Sequence, residues 1–541
     1  MRLSELVRGI AADAGAGAFS PAVATGVAGA PGAPGVPDAP DPEVSGVSHD
    51  SRRVAPGDLY VALAGQRHNG WDFAPAAVAA GAVAVAGAAA DRAAAAVGGA
   101  GGVGGVDRAG GMAEVGGAAG VAGAPGMAGL GVPWVALAAP RAALAALAAR
   151  LHGHPDRELV MAGVTGTNGK TTVALLIASM LDAAGLPAGF LGTIGYRFGD
   201  RRFAGGHTTP EASDLFRMLR EMRAAGARAA AMEVSSHALA MQRVAGVAFD
   251  VAVFTNLTRD HLDYHRDMED YFAAKRRLFA QLKPGGRAVV NAGDPYGRRL
   301  AEELGATALT FGAGGEVSAR QVRLAPHGTA ATLDTPRGPL AIASPLVGRY
   351  NLENLLAAAA AGVALGLPHA AIAHGIAQRR PVPGRMEPVD RGQPFPVYVD
   401  YAHTDAALAA ALAAVREVAP GKLAVVFGCG GERDAGKRPL MGRIAGELAD
   451  LAIVTSDNPR GEDPLAIIAA VAAGVKQSGN PRCELVPDRR EAIRAALAAA
   501  GPGWAVLVAG KGHEQEQIVG DRRLPFSDAE AIGQALEERY G

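Results

Sequence analysis

The 541-residue sequence has few cysteines, few aromatic residues and almost no net charge. Its two cysteines, Cys429 and Cys483, cannot make a disulfide framework, which is typical of a protein from a reducing compartment. A formal net charge of -1 gives no electrostatic field for nucleic acid or an anionic membrane, so we expect neither as a partner. The N-terminus carries Glu5 and Arg8 where a signal peptide needs an apolar run, which predicts a cytoplasmic protein.

Large side chains are also missing from two stretches, 11–42 and 93–131, which consist mostly of alanine, glycine, valine and proline. Without periodicity or bulky apolar residues, neither stretch can offset its ordering entropy by burial. We predict that both are surface insertions that activity does not need. The uncharged run 115–140 is too weakly apolar, and too often interrupted by glycine and proline, to predict a membrane span.

The patterned remainder of the chain predicts three α/β domains, at 1–156, 157–380 and 381–541. A strand at 59–63, after a Pro56-Gly57 turn, indicates a small N-terminal α/β domain. The central region alternates helical patterns with strands, which predicts a doubly wound parallel sheet with strands at 159–164, 229–234, 251–256 and 288–291. After a proline-rich linker, a second α/β series predicts a C-terminal Rossmann-like domain with strands at 397–400, 423–427, 451–455 and 505–509.

The string GVTGTNGKTT, at 163–172, has the features of a phosphate-binding loop. Its glycines allow backbone N–H groups to face phosphate oxygens, and the helix predicted from Thr171 to Ala184 directs its positive end at them. Lys170 would balance charge on the β- and γ-phosphates, and Thr171 would hold Mg²⁺. The general pattern has glycine six residues before the lysine, where this chain has Val164. The predicted nucleotide-binding residues are Gly166, Thr167, Asn168, Gly169, Lys170, Thr171 and Thr172.

Acidic residues and a histidine follow two other central strands. Glu233 ends one strand, and Asp260, His261 and Asp263 follow the next. The carboxyl ends of parallel strands meet at one edge of the sheet, where such folds bind ligands. A lone histidine is more often a capping or core residue, but beside a carboxylate and a phosphate loop a metal site is favoured. Lys275, by spacing alone, would be an exposed helical lysine.

Together with the loop, the strings MEVSSHAL (232–239) and FTNLTRDHLDYH (254–265) resemble the Mur ligase family, ATP-dependent amide-forming enzymes of peptidoglycan synthesis. The resemblance implies that Lys170, Glu233, His261 and Lys275 are catalytic. It implies two Mg²⁺ ions, one held by Thr171 and Glu233 and a second held with the help of His261. Lys275 would be carbamylated, because a carbamate offers Mg²⁺ anionic oxygens that an ammonium lacks.

The resemblance covers the whole chain apart from the two insertions, and it extends to the N- and C-terminal domains. It is strongest to the branch of the family that adds meso-2,6-diaminopimelate to UDP-N-acetylmuramoyl-L-alanyl-D-glutamate. The resemblance also implies contacts with the muramoyl substrate. They come from Ser51 in HDSR (49–52), from Thr208 and Thr209 in HTTP (207–210), and from Ser235 and Arg243. Asn291 is implied to face adenine, and Arg385 and Asp400 are implied to complete the ATP site.

The most specific strings are C-terminal: GRME, DYAHT, FGCGGERDAGKRPLM, SDNPR and VAGKGHE. They imply a diaminopimelate pocket formed by Arg433, Asp457, Asn458, Pro459, Arg460, Gly510 and Glu514. The family has Pro-Asp after DYAHT where this chain has Asp405-Ala406, a change that we expect to affect only the first helical turn. Cys429 is expected to be structural, because the family uses no thiol.

The implied reaction has two steps, in which a substrate carboxylate takes the γ-phosphate of ATP and an amine then attacks the acyl phosphate. Protein groups would mainly position reactants and neutralise charge. We expect a monomer that closes its domains during turnover.

Three alternatives stay open at this point. A folylpolyglutamate synthase-like ligase would not need the uridine strings or DNPR, and a P-loop kinase or GTPase has no use for an arginine-rich C-terminal domain. An Ala/Gly-rich structural protein explains only the two insertions.

Overall fold

The computed structural model of the chain describes residues 1–10, 41–65, 68–91, 130–203, 206–379, 381–480 and 482–540. Most of both predicted insertions lies outside these residues. Contacts between residues divide the chain into two compact units. The first comprises Met1–Glu158, Pro210–Ala225 and Ala238–Val247, and the second comprises Leu159–Thr209, Gly226–His237 and Ala248–Gly541.

The first unit contains a four-stranded parallel sheet, with strands in the order Gly46–Ser48, Asp58–Ala62, Ala84–Gly87 and Trp134–Ala136. The strand predicted at 59–63 is therefore confirmed, with bounds one residue earlier. Trp71 is fully buried and packs edge-on against Trp134, with ring centroids 6.1 Å apart. The α-helices of this unit are Leu3–Val7, Ala74–Ala79, Pro140–Leu151, Pro155–Glu158 and Ala212–Ala224.

The central sheet of the second unit has eight strands, in the order Ala308–Phe311, Leu282–Asn291, Phe249–Phe254, Val160–Thr165, Ala229–Glu233, Ala188–Gly192, Gly195–Phe198 and Arg201–Phe203. The first six are parallel and the last two extend the sheet as an antiparallel hairpin. The predicted doubly wound sheet is confirmed. Its flanking helices are Lys170–Ala183, Met268–Arg276, Pro295–Leu304, Arg349–Ala364 and His369–Gln378.

A three-stranded antiparallel sheet follows, formed by Ser318–Ala325, Gly328–Asp334 and Leu340–Ser344. Sequence analysis did not predict it. Its last strand alternates buried and exposed residues, as a sheet with one solvated face requires. The buried side chains Leu333, Leu340 and Ile342 join the same core as the helix Lys170–Ala183.

The C-terminal sheet has six strands, in the order Glu387–Pro388, Val397–Asp400, Trp504–Ala509, Lys422–Phe427, Leu451–Val454 and Cys483–Leu485. All are parallel except the first, and the four predicted strands are confirmed to within one residue. The surrounding α-helices are Asp405–Val418, Lys437–Leu448, Pro464–Gln477, Arg489–Ala499 and Asp528–Tyr540, and a hairpin joins Glu516–Val519 to Arg522–Pro525. None of the helices in the described ranges has both the length and the apolar character to cross a membrane.

The polar strings of the C-terminal domain begin where its parallel strands end. DYAHT, GCGG, SDNPR and GKGHE follow four neighbouring strands of one sheet. Their side chains therefore gather at one edge, where open α/β sheets bind ligands.

Candidate active site

The phosphate loop joins a buried strand to a long helix, as predicted. Gly166 and Gly169 have φ of 144° and 86°, a region that glycine alone adopts readily. A Cβ at Gly166 would lie 1.9 Å from Thr255 Oγ1, and one at Gly169 would lie 2.3 Å from Asn354 Oδ1. The two glycines are therefore required by both backbone conformation and close packing.

The unusual spacing of the loop has a structural reason. Val164 is fully buried, and the strand that contains it continues to Thr165. Gly163 also belongs to the strand, where a Cβ would lie 2.8 Å from the Phe249 ring. The loop therefore begins at Gly166. Position 164 lies in the strand, where the conformation of the loop does not require a glycine.

The segment that follows the neighbouring strand fixes the shape of the loop. Thr167 N donates to Asn256 O at 2.9 Å, and Asn168 N donates to Asn256 Oδ1 at 2.9 Å. Thr258 N donates to Thr167 Oγ1 at 3.0 Å. These hydrogen bonds come from the protein itself and fix the backbone of the loop.

Lys170 folds back over the loop. Its Nζ donates to Gly166 O at 3.0 Å and to Thr167 O at 2.8 Å. Burial lowers the pKa of Lys170, while Glu233 opposes this shift and Arg385 adds to it. The lysine therefore shares one electrostatic neighbourhood with two other residues of the predicted site.

Lys275 is fully buried, so the interpretation from spacing alone, an exposed helical lysine, is wrong. Its Nζ donates to Gly166 O at 2.7 Å and lies 4.4 Å from the centroid of the Tyr271 ring. Burial, assisted by the nearby charge of Lys170, lowers the pKa of Lys275 well below its usual value. Burial therefore favours the uncharged amine of Lys275, which is the form that can act as a nucleophile toward carbon dioxide.

Glu233 and His261 have the chemistry of metal ligands. The Glu233 carboxylate is 1% exposed and accepts from Thr193 N at 2.8 Å and from Thr193 Oγ1 at 3.1 Å, which leaves lone pairs on both oxygens. His261 adopts the left-handed conformation at φ 56°. Burial lowers the pKa of His261 to about 4, although Asp260 opposes the shift, so the ring is neutral at pH 7.

These donors fit Mg²⁺. The Thr171 hydroxyl is buried at the phosphate loop and makes no hydrogen bond to another residue that the structure describes. Carboxylate and hydroxyl oxygens are hard ligands of the kind that Mg²⁺ prefers. Within the described ranges no three His, Cys, Asp or Glu side chains form a complete cage, and Mg²⁺ usually takes one or two carboxylates together with phosphates and water.

A cleft of about 300 Å³ opens beside the loop. It is lined by seven residues of the predicted ATP set: Asn168, Gly169, Thr171, Thr172, Asn291, Arg385 and Asp400. Arg385 stacks on the Tyr401 ring, 4.7 Å from its centroid. Asp400 accepts from Met386 N at 2.7 Å and from Tyr350 Oη at 3.1 Å, and burial raises the pKa of Asp400 although Arg385 opposes this.

A second cavity, of about 450 Å³, is rich in charged side chains. It is lined by six residues of the predicted diaminopimelate set: Arg433, Asp457, Asn458, Arg460, Gly510 and Glu514. Pro459, the remaining member, is buried, and its carbonyl oxygen lies 1.9 Å from the place of a Cβ at Gly431. Tyr401 and His403 line both cavities, so the charged cavity adjoins the cleft beside the phosphate loop.

Arg460 is held in the wall of this second cavity. Its Nη1 donates to Gly431 O at 2.8 Å, and its backbone N donates to Ile518 O at 3.1 Å. Its φ of 51° is a left-handed conformation that costs a non-glycine residue about 1–3 kcal/mol and that persists mainly at functional sites. Arg460 is therefore neither a helix cap nor a side chain free in solvent.

The predicted pocket residues Asn458 and Glu514 are linked by a lysine that sequence analysis missed. Lys511 Nζ is fully buried and donates to Asn458 Oδ1 at 3.0 Å and to Glu514 Oε2 at 2.9 Å. Lys511 is visible in the string VAGKGHE, but the inward direction of its side chain depends on the tertiary fold.

Cys429 also lines the cavity, and its environment is that of a structural thiol. Its Sγ lies 3.6 Å from Met441 Sδ. Burial raises the pKa of Cys429 to about 12, so the thiolate that nucleophilic chemistry requires is scarce at pH 7.

The residues predicted for the muramoyl substrate belong to both units. In the first, Ser51 begins the short helix Ser51–Arg53, and Arg243 Nε lies 2.9 Å from Glu211 Oε1. In the second, Thr208 Oγ1 lies 3.1 Å from Thr193 Oγ1.

The other two residues of this predicted set, Thr209 and Ser235, contact each other in the second unit. Thr209 is fully buried, its hydroxyl donates to Glu233 O at 2.9 Å, and Ser235 N donates to that hydroxyl at 3.1 Å. Thr209 therefore supports Ser235 and the strand end that carries Glu233.

Known proteins match this chain over nearly its full length. The family descriptions that match are "Mur ligase family, catalytic domain" over 43–152, "Mur ligase middle domain" over 164–362 and "Mur ligase, glutamate ligase domain" over 384–512. The UDP-N-acetylmuramoyl-L-alanyl-D-glutamate--2,6-diaminopimelate ligase of Geobacter metallireducens is 44% identical over 518 residues, which cover 92% of this chain and 94% of the relative.

Solved structures agree with the sequence relatives. A UDP-N-acetylmuramoyl-L-alanyl-D-glutamate--2,6-diaminopimelate ligase is 33% identical, with a TM-score of 0.62, and the match covers 92% of this chain and 96% of that one. Mycobacterium tuberculosis folylpolyglutamate synthase, complexed with ADP and AMPPCP, is 20% identical, with a TM-score of 0.57. The match covers 67% of this chain and 91% of the synthase chain, and it shows a shared fold alone. The chain belongs to the Mur ligase family.

Proposed function

We propose that this chain is the ATP-dependent ligase that joins meso-2,6-diaminopimelate to UDP-N-acetylmuramoyl-L-alanyl-D-glutamate in peptidoglycan synthesis. The observation that carries the proposal is the charged cavity beside the nucleotide cleft, which holds both arginines and carboxylates. Diaminopimelate has two carboxylates and two amines. Arg433 and Arg460 suit its carboxylates, while Asp457 and Glu514 suit its amines.

The first chemical step forms an acyl phosphate. A carboxylate oxygen of the muramoyl dipeptide forms a bond to the γ-phosphorus of ATP, and the bond from that phosphorus to the leaving ADP oxygen breaks. The phosphate loop contributes fixed N–H donors, and Lys170 contributes positive charge once its Nζ turns from Gly166 O and Thr167 O to the phosphates. Arg385 and Asp400 complete the nucleotide cleft from the C-terminal domain.

The second step forms the amide. The free amine of diaminopimelate attacks the acyl carbon, the bond to the phosphate oxygen breaks, and the amine loses its proton. Because Tyr401 and His403 line both cavities, a bound amino acid would lie next to the nucleotide, as this transfer requires. Positioning is therefore the main contribution of the amino-acid cavity.

Two Mg²⁺ ions would be held in the central domain, one by Thr171 and Glu233 and one by His261 and a carbamate on Lys275. Bound Mg²⁺ would supply positive charge that neutralises the phosphates. The burial of the Lys275 amine beside the loop, which lowers its pKa, supports its carbamylation, and the low pKa of His261 supports its role as a neutral ligand.

For the muramoyl substrate, we assign Ser51 to the uridine portion and Thr208 and Thr209 to the muramoyl peptide. Ser235 and Arg243 would hold the D-glutamate and sugar-peptide portion. The ion pair with Glu211 supports the assignment of Arg243, because it fixes the guanidinium at one place. We further propose that the protein works in the cytoplasm as a monomer.

Phosphate release from ATP tests the proposed function. We expect release only when UDP-muramoyl-dipeptide and diaminopimelate are both present, with one amide formed for each phosphate. Release with folate substrates would support the folylpolyglutamate alternative, and formation of ADP without release of free phosphate would support a P-loop kinase.

A further inference from the structure

A buried lysine lies beneath the amino-acid cavity and contacts its polar residues. The Lys511 side chain is 0% exposed, although it carries an ammonium. Its Nζ lies 3.0 Å from Asn458 Oδ1, 2.9 Å from Glu514 Oε2 and 4.0 Å from Asp457 Oδ1. All three partners belong to the set predicted for diaminopimelate, so a single buried cation connects three of its seven residues.

The side chain of Asn458 is largely used within this network. Its Nδ2 donates to Glu514 Oε2 at 2.8 Å, and its Oδ1 accepts both from Lys511 Nζ and from Ile518 N, the latter at 3.0 Å. An amide oxygen has two lone pairs, so both are occupied. Asn458 therefore serves mainly to hold Lys511 and Glu514 in place.

The two oxygens of Glu514 differ in consequence. Oε2 accepts from Lys511 and from Asn458. Oε1 has no hydrogen-bond partner within the described ranges, and the side chain is 31% exposed where it lines the cavity. The network thus fixes the carboxylate with one oxygen committed and the other available to an incoming ammonium.

Lys511 places a positive charge beside two carboxylates of the cavity. Asp457 and Glu514 both line the cavity, and two negative charges that face the same space repel each other. Lys511 offsets both from below while leaving the cavity side open. An apolar residue of the same length would remove this balance and leave Glu514 Oε2 with one donor fewer.

We infer that Lys511 is a positioning residue for amino-acid recognition, because it orients Glu514 so that Oε1 receives the ammonium at the far end of the diamino acid. This inference rests on the proposed function and deepens it. Lys511 does not touch the reacting atoms in this scheme, so it acts on binding of the amino acid through Glu514.

A double-mutant cycle tests the inference in the full-length protein. The variants are Lys511→Met, Glu514→Gln and the double substitution. The control is Lys476→Met, which changes an exposed helical lysine of the same domain. We expect Lys511→Met to raise KM for diaminopimelate about 30-fold or more, the usual consequence of removing one partner of a buried charge pair. KM for ATP should be unchanged in Lys511→Met, and both KM values should be unchanged in the control variant Lys476→Met.

The cycle separates positioning from a general structural role. If Lys511 acts through Glu514, the double variant should bind diaminopimelate no more weakly than Glu514→Gln alone. The inference would be overturned if the double variant showed the full effect of both substitutions on KM for diaminopimelate. It would also be overturned if Lys511→Met raised KM for ATP as much as KM for diaminopimelate. If Lys511→Met does not fold, Lys511→Gln can replace it, because glutamine keeps a hydrogen-bond donor without the charge. We then expect a smaller rise in KM for diaminopimelate and no further rise when Glu514→Gln is added. Additive rises in KM for Lys511→Gln and Glu514→Gln would contradict the inference.

The inference and the proposed function can fail separately. If the wild-type protein releases no phosphate with diaminopimelate, the proposed function is wrong. If it does so and Lys511→Met has a normal KM for diaminopimelate, only the inference about Lys511 is wrong.

Discussion

The nucleotide cleft and the amino-acid cavity adjoin each other but are built in different ways. The phosphate loop is one contiguous stretch, and its shape comes from backbone conformation, with Gly166 and Gly169 packed against Thr255 and Asn354. The amino-acid cavity instead gathers charged side chains that follow five separate strands, and Lys511 is buried beneath it. The nucleotide cleft should therefore be sensitive to added side-chain atoms in the phosphate loop. The amino-acid cavity should be sensitive to the removal of charged side chains.

The largest effect should come from Lys275, which lies beneath the phosphate loop. Lys275→Ala would remove the amine that we propose to be carbamylated, so we expect turnover to fall about 10²–10³-fold or more, as for loss of one preorganised charge-stabilising group. Acetate or formate should partly restore phosphate release by supplying the missing carboxylate. Lys476→Ala is the exposed control, and full activity of Lys275→Ala without rescue would exclude the role.

Removal of charge from the amino-acid cavity should give the next largest effect. Arg460→Ala would leave the second carboxylate of diaminopimelate without its guanidinium, so we expect most activity with diaminopimelate to be lost, by about a hundredfold or more. The low activity with lysine should hardly change. Arg443→Ala, an exposed position of the same domain, is the control. Equal losses with both amino acids would point to a structural role for Arg460.

Added atoms at the loop should damage the nucleotide cleft alone. Gly169→Ala would place a Cβ 2.3 Å from Asn354 Oδ1 at a φ of 86°, so we expect a higher KM for ATP with an unchanged KM for diaminopimelate. Gly185→Ala is a matched control, because Gly185 has a φ of 76° but no atom within 4 Å of the added Cβ. It should cost about 1 kcal/mol of stability without a change in KM. Similar KM values for ATP in both variants would contradict this account.

The smallest effect is expected from the alanine- and glycine-rich insertions, most of which lies outside the described residues. Replacing 11–42 and 93–131 by short linkers should change neither the ligase rate nor the melting temperature, because neither sequence has a pattern that burial could stabilise. A large loss of rate or of melting temperature would show that the insertions contribute to the enzyme.

The comparison between the two sites also explains what the sequence could predict. The phosphate loop is local, and its strand, glycines and helix were predicted closely, since the helix spans Lys170–Ala183 where Thr171 to Ala184 was expected. The pocket residues came from resemblance to a family, because the distance between strand ends in the fold cannot be derived from their spacing in the sequence.

Side-chain direction was the main feature that sequence patterns did not determine. Lys275 and Lys511 have the spacing and composition of ordinary surface lysines, yet both are buried because the surrounding tertiary structure encloses them. The antiparallel sheet at 318–344 was missed for a related reason: packing against the central core stabilises its strands, and that packing depends on the tertiary fold.

The choice between diaminopimelate and lysine tests the central claim most directly. The two amino acids differ by the carboxylate that Arg460 is proposed to bind, and lysine would leave a partly buried guanidinium without its partner, at a cost of about 3–5 kcal/mol. Measured by phosphate release under matched conditions, kcat/KM for meso-diaminopimelate should exceed that for lysine by about a few hundred-fold or more. Equal values for the two amino acids would contradict the account.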